Sequence, residues 1–140
     1  MKQIKIIILL IATCMLLCAC PDKTEQDFIY ITNKSDKTIA FQVNVNKQDE
    51  IFYCSDIGTT ILISVKSNST FKLDNGDTYS SWNSYLKSLT VFILDGELYE
   101  EYWQQPCDTI RKYVPILHTY RLTLEDLQRM NWTVVYPPEE

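Results

Sequence analysis

The sequence predicts a mainly β fold, two sheets packed face to face with one or two short helices, and three observations predict it. Apolar residues recur at period two over most of the chain beyond residue 28, turn-forming residues punctuate it at short intervals, and helical spacing is confined to two brief stretches. Residues 28–32 (FIYIT) form a short apolar strand, and Asn33-Lys34-Ser35-Asp36 closes it with side chains that bond their own backbone. Residues 38–45 alternate, with Ile39, Phe41, Val43 and Val45 on one face and Thr38, Ala40, Gln42 and Asn44 on the other, so one side of this strand is expected in the core. Residues 60–65 and 69–73 make a strand pair around Lys66-Ser67-Asn68, ended by Asp74-Asn75-Gly76-Asp77.

Residues 78–87 depart from this rhythm. Trp82, Tyr85 and Leu86 fall at helical spacing, which predicts a turn or two of helix capping the core. Residues 89–94 (LTVFIL) are the most apolar run after the N-terminal segment and predict a central strand, stopped by Asp95-Gly96. Residues 113–122 read as a strand whose Pro115 places its start at an edge or a bulge. Thr123 with Asp126 three residues on is a shortened capping box and predicts a helix to Arg129. Residues 132–136 form the last strand, stopped by Pro137-Pro138. Strands at this spacing point to a sandwich of immunoglobulin-like type, as one domain over residues 28–140.

The N-terminus has a different grammar. Lys2 and Lys5 precede an apolar stretch over residues 6–17, too short to span a bilayer comfortably, which reads as a signal peptide. It ends in Leu17-Cys18-Ala19-Cys20, which resembles the bacterial lipobox. That resemblance implies removal of residues 1–19 and acylation of Cys20, hence firm lipid anchoring. Residues 20–27, polar and charged, are then expected to be a flexible tether. Without Lys2 and Lys5 the remaining 11 basic residues face 18 acidic ones, a balance of −7. So acidic a chain is a poor nucleic-acid partner.

Tyr120-Arg121-Leu122-Thr123-Leu124-Glu125-Asp126-Leu127, followed by Asn131-Trp132-Thr133-Val134-Val135-Tyr136-Pro137-Pro138, resembles the C-terminal part of small uncharacterised lipoproteins of Bacteroidetes. Trp82 and the run from Val91 to Asp95 are similar to that group as well. The resemblance implies a single small domain at the outer membrane and no particular activity; residues 20–27 do not specify which face of that membrane.

After processing, Cys54 and Cys107 are the two free thiols, and in an oxidising compartment such a pair is expected either to form one disulfide or to stay as two buried thiols. Nucleophilic catalysis needs a base, and His118, the single histidine, falls in a strand where a surface or half-buried role is expected. One histidine and two distant cysteines supply no zinc set, Asp74-Asn75-Gly76-Asp77 lacks the ligand pattern of a calcium loop, and no cofactor or metal is expected. Glu97, Glu100 and Glu101 are the acids a glycan-degrading enzyme would use, but adjacent acids are common on solvated surfaces.

Tyr99, Tyr102 and Trp103 are the candidate ligand-binding residues, since exposed rings stack on sugars or anchor protein partners. Asp108-Thr109-Ile110 resembles the O-glycosylation signal of Bacteroidetes, which makes Thr109 a candidate acceptor. The Asn-x-Ser/Thr sites at Asn33, Asn68 and Asn131 are discounted in a bacterial chain. The expected function is a non-catalytic, lipid-anchored module that binds a protein partner or a glycan through its aromatic loops. The alternatives are a glycan hydrolase, or a protective lipoprotein that blocks a toxin or protease.

Overall fold

A computed structural model describes residues 28–46, 62–74 and 81–139. Cys20, the 20–27 tether, Cys54, the 75–77 turn and the beginnings of the expected 60–65 strand and 78–87 helix lie outside the described residues. The described part is mainly β, with two sheets and four helices. Its strands are β1 (Phe28–Asn33), β2 (Ile39–Val45), β3 (Ile63–Val65), β4 (Ser69–Asp74), β5 (Ser88–Asp95), β6 (Ile116–Thr123) and β7 (Thr133–Tyr136). The helices are α1 (Trp82–Tyr85), α2 (Gly96–Tyr102), α3 (Cys107–Tyr113) and α4 (Leu124–Arg129). Four helices, rather than the expected one or two, correct the sequence reading. Among the described residues no helix is long and apolar enough to cross a membrane.

One sheet has the order β4-β1-β7, with β1 antiparallel to β4 and parallel to β7; the other has the order β3-β2-β5-β6, all antiparallel. Side chains alternate, so Ile29 and Ile31 of β1 and Val134 of β7 turn inward to meet Ile39 and Phe41 of β2, Leu89, Val91 and Ile93 of β5 and Tyr120 of β6. Trp82 of α1 and Leu86 just after it join this core, as does Leu127 from α4. The Trp82 indole N–H is buried without an acceptor among the described residues.

The opposite face of β2 is not solvated. Ala40, Gln42 and Asn44 are buried and pair in register with Leu94, Phe92 and Thr90. Where that face is apolar, Ile110 of α3, Val114 just after it, and Leu98, Tyr99 and Tyr102 of α2 cover it. Two seven-residue helices would not form alone. Burying Phe92, Leu94, Ile110 and Val114 contributes roughly 1.5–3 kcal/mol each, which holds them in place. β5 is therefore buried on both faces, the physical reason its sequence is continuously apolar.

Three polar devices join the elements. Asn33, fully buried at the end of β1, donates from Nδ2 to the carbonyls of Lys37 (2.7 Å), Val65 (3.0 Å) and Lys66 (3.1 Å). Its Oδ1 accepts from Ser35 N (3.0 Å) and Ser35 Oγ (2.7 Å). One side chain thus fixes both the β1–β2 turn and the β3–β4 corner, where the chain passes from one sheet to the other. At the opposite end, Asn46 takes the left-handed backbone (φ 53°) that its side chain tolerates. It accepts from Lys87 N (2.7 Å) and Ser88 N (3.1 Å) and donates to the Tyr85 carbonyl (2.8 Å).

The third device closes the sandwich where β6 and β7 are edge strands. Tyr30 N and Lys34 N take the carbonyls of Trp132 and Tyr136, so the intervening Val135 carbonyl points away from β1. The Tyr120 hydroxyl donates to it at 2.5 Å, linking the two sheets and capping a group that would otherwise template a foreign strand. Desolvation, with the neighbouring Tyr136 second, pushes the Tyr120 phenol up to about 12.

Expected boundaries shift for local reasons. α4 carries the predicted capping box, Thr123 with Asp126, and the strand after it begins at Thr133, because Asn131 (φ 49°) and Trp132 (φ 59°) form a left-handed cap. Trp132 N donates to the Leu127 carbonyl at 2.7 Å. For an indole this backbone costs about 1–2 kcal/mol, which burial of the ring offsets. The expected 113–122 strand begins instead at Ile116, since Pro115 separates it from α3, and β6 is an edge strand as Pro115 predicted.

Candidate functional site

The candidate ligand-binding residues belong to a helix, not to a loop. Asp95 accepts from Glu97 N (3.1 Å) and Leu98 N (3.0 Å), so the Asp-Gly step read as a strand stop is also the N-cap of α2. Gly96 is required there by a close approach. Its nitrogen donates to the Thr38 carbonyl (3.1 Å), and a Cβ would lie 2.8 Å from both Thr38 O and Ile39 C. α3 follows after Pro106, with Asp108 in its first turn and Arg111 and Lys112 in its last, charges that complement the helix dipole. This pattern was a signal in the sequence that strand-centred reading passed over.

The helix sorts the three rings. Tyr99 is half-buried against the second core, and burial raises its phenol above the usual value. Tyr102 is half-buried too and stacks on Tyr113 at 5.1 Å between centroids and 13° between planes. Trp103, next in the chain, is 56% exposed. Sequence reasoning missed three companions: Tyr113 (46% exposed), Ile116 (47%) and Leu117 (42%). With Trp103 they are the exposed large hydrophobic residues among those described, and all four lie within residues 103–117. Ile116 and Leu117 looked like ordinary strand residues. A bulge in the β5–β6 register after Ile93 and the edge position of β6 leave them in solvent.

The Tyr102–Tyr113 stack draws the end of α3 to the end of α2, and Trp103 follows directly on α2 as Ile116 and Leu117 follow on α3. Glu97, Glu100 and Glu101 are exposed on α2, and no ion pair among the described residues engages them. Thr109 is half-buried in the first turn of α3. His118, half-buried, packs edge-on against Tyr120 with ring centroids 4.4 Å apart. Among the described residues no three His, Cys, Asp or Glu side chains are grouped as a metal site would need. Cys107, at the start of α3, is buried and disulfide-bonded, and its partner lies outside the described residues.

No protein family matches the chain, and no curated protein or solved structure shows significant similarity to it.

Proposed function

We propose that the chain is a lipid-anchored envelope protein whose exported domain is a non-catalytic binding module, and that it engages a protein partner through the corner formed by Trp103, Tyr113, Ile116 and Leu117. The observation that carries this reading is that the exposed large apolar side chains among the described residues all fall within residues 103–117, where α2 and α3 end and β6 begins. Scattered exposed apolar residues need no explanation, whereas a group of them on a small domain is the usual mark of a contact surface. The half-burial of Tyr99 and Tyr102 favours a protein over a glycan, because a sugar platform needs open ring faces and Trp103 alone of the three offers one. An immunoglobulin-like relationship is the finer fold we propose, supported by two sheets around one core and by the parallel pairing of β1 with β7.

Anchoring rests on the leader and on Cys20. Cys20→Ser is expected to release the protein from membranes and to abolish incorporation of labelled palmitate; unchanged partitioning would remove the anchor from the proposal. Binding is tested by a photo-crosslinking amino acid at position 103 in intact cells, with cross-linked species identified by mass spectrometry. One discrete protein adduct is expected from position 103 and none from Asn83, exposed on α1. No adduct from 103, or the same adducts from both positions, would refute the binding role.

A further inference from the structure

Hydrogen bonds at the two ends of β5 fix which way each of its backbone groups points. Asn46 N donates to the Ser88 carbonyl (3.0 Å) and Gly96 N to the Thr38 carbonyl (3.1 Å), so Ser88, Thr90, Phe92 and Leu94 bond to β2. Leu89, Val91, Ile93 and Asp95 therefore bond to the strand on the other side, in keeping with the bond from Asp95 N to the Pro115 carbonyl (3.3 Å). The partners of the first three in β6 are Leu122, Tyr120 and His118, which turns the backbone of Thr119 and Arg121 away from β5, at the edge of the sheet. Ile116, opposite Leu94, faces the same way. No backbone hydrogen bond among the described residues takes up Ile116 or Thr119 on that side.

The other three edges are blunted against a further strand. β3 is three residues long, and β4 presents exposed Lys72 and Asp74. β7 is four residues long, its Val135 carbonyl is taken by Tyr120, and Pro137 follows directly. β6 has eight residues, and none from Ile116 to Tyr120 is Lys, Arg, Asp, Glu or Pro. The bulge beside Ile93 is confined to its start, where Ile116 and Leu117 stand in solvent.

The geometry points to β6 as a strand-addition site, at which the protein partner contributes an extended segment that bonds to the outward N–H and C=O of Thr119 and covers Ile116 and Leu117 with apolar side chains. This rests on the binding role proposed above and adds the conformation of the partner. N–H and C=O groups at strand spacing are matched by another extended backbone, while the side chains at the edge set the choice of segment. A second copy of β6 matches this edge less well. Antiparallel pairing of outward residues sets Thr119 against Thr119 or Arg121 of the other copy, which brings Arg121 or Thr123 opposite Leu117, so neither register covers Leu117 with an apolar residue.

The test repeats the position 103 cross-linking in intact cells with and without Thr119→Pro. Proline removes an N–H that no β5 carbonyl uses, and its ring obstructs an added strand. The purified lipidated variant in detergent micelles should keep its melting temperature within about 5 °C, while the adduct falls roughly tenfold, the effect of one or two lost net hydrogen bonds. Amide exchange of the parent protein in the same micelles should be fast at Thr119 and slow at Tyr120. Equal protection at the two amides, or failure of Thr119→Pro to fold, would overturn the edge assignment and the inference with it. An undiminished adduct in a folded Thr119→Pro, or an adduct of the chain with itself, would overturn the inference and leave the binding role standing. No adduct from position 103 in the parent protein would overturn both.

Discussion

Removing the Asn33 side chain is expected to destabilise the fold more than any other single polar truncation among the described residues. Its amide serves three carbonyls within 3.1 Å and its oxygen two donors on Ser35, and the residue has no exposed surface. In Asn33→Ala the Lys37 and Lys66 carbonyls lie near exposed residues and water can reach them, but the bond to Val65 is buried and its carbonyl loses a donor. A buried group left unsatisfied costs about 1–3 kcal/mol, and loss of two or three further net bonds adds about 0.5–1.5 kcal/mol each, giving roughly 2–5 kcal/mol after partial rehydration. Urea unfolding with the disulfide intact reads this as a lower midpoint at unchanged slope. Asn33→Asp sharpens the test, since an ionised carboxylate keeps the shape but donates nothing to three facing carbonyls. Its folded pKa should rise, so the variant should be most stable below the unfolded carboxyl value of about 3.9 and lose stability as pH rises from there through the raised value. A loss below about 0.5 kcal/mol in Asn33→Ala, or a pH-independent Asn33→Asp, would refute the assignment of Asn33 as the tie between the turn and the corner.

Three further outcomes are expected. Tyr120→Phe should cost about 1–2 kcal/mol by freeing the Val135 carbonyl. Because the folded phenol is pushed up to about 12 from 10.0, its contribution is complete below pH 10 and is lost between pH 10 and 12; alkaline unfolding curves of wild type and Tyr120→Phe that superimpose would disprove it. Gly96→Ala should destabilise by about 1–3 kcal/mol, because its Cβ would press on backbone at 2.8 Å that cannot swing aside as a side chain would; an unchanged melting temperature would contradict this. Under the proposed removal of residues 1–19 and acylation of Cys20, Cys54 is the cysteine left to partner Cys107, so peptide mapping without reductant should recover them together. Reduction should then remove about 3–4 kcal/mol, as for a closed loop of roughly fifty residues, and a free Cys54 thiol in the native protein would rule the pairing out.

Period and punctuation by themselves determined β1, β2, β5 and β7 to within a residue or so, and the Thr123–Asp126 cap announced α4, because alternation and capping are written in neighbouring residues. α2 and α3 were legible only in part. Asp95 and Pro106 are helix-start residues as well as turn residues, and what decides between those meanings is the apolar outer face of β5, which lies elsewhere in the chain. The candidate rings show the same division: composition brought Tyr99, Tyr102 and Trp103 to notice together, but the packing of α2 against Phe92 and Leu94 half-buries the first two and leaves the third in water. Asn33 looked like a turn residue or a glycosylation site, and only the approach of Val65 and Lys66, more than thirty positions away, makes it a buried tie. Local propensity is carried by adjacent residues, while burial, and with it the choice of which side chains remain free to meet a partner, depends on which distant surfaces fold together.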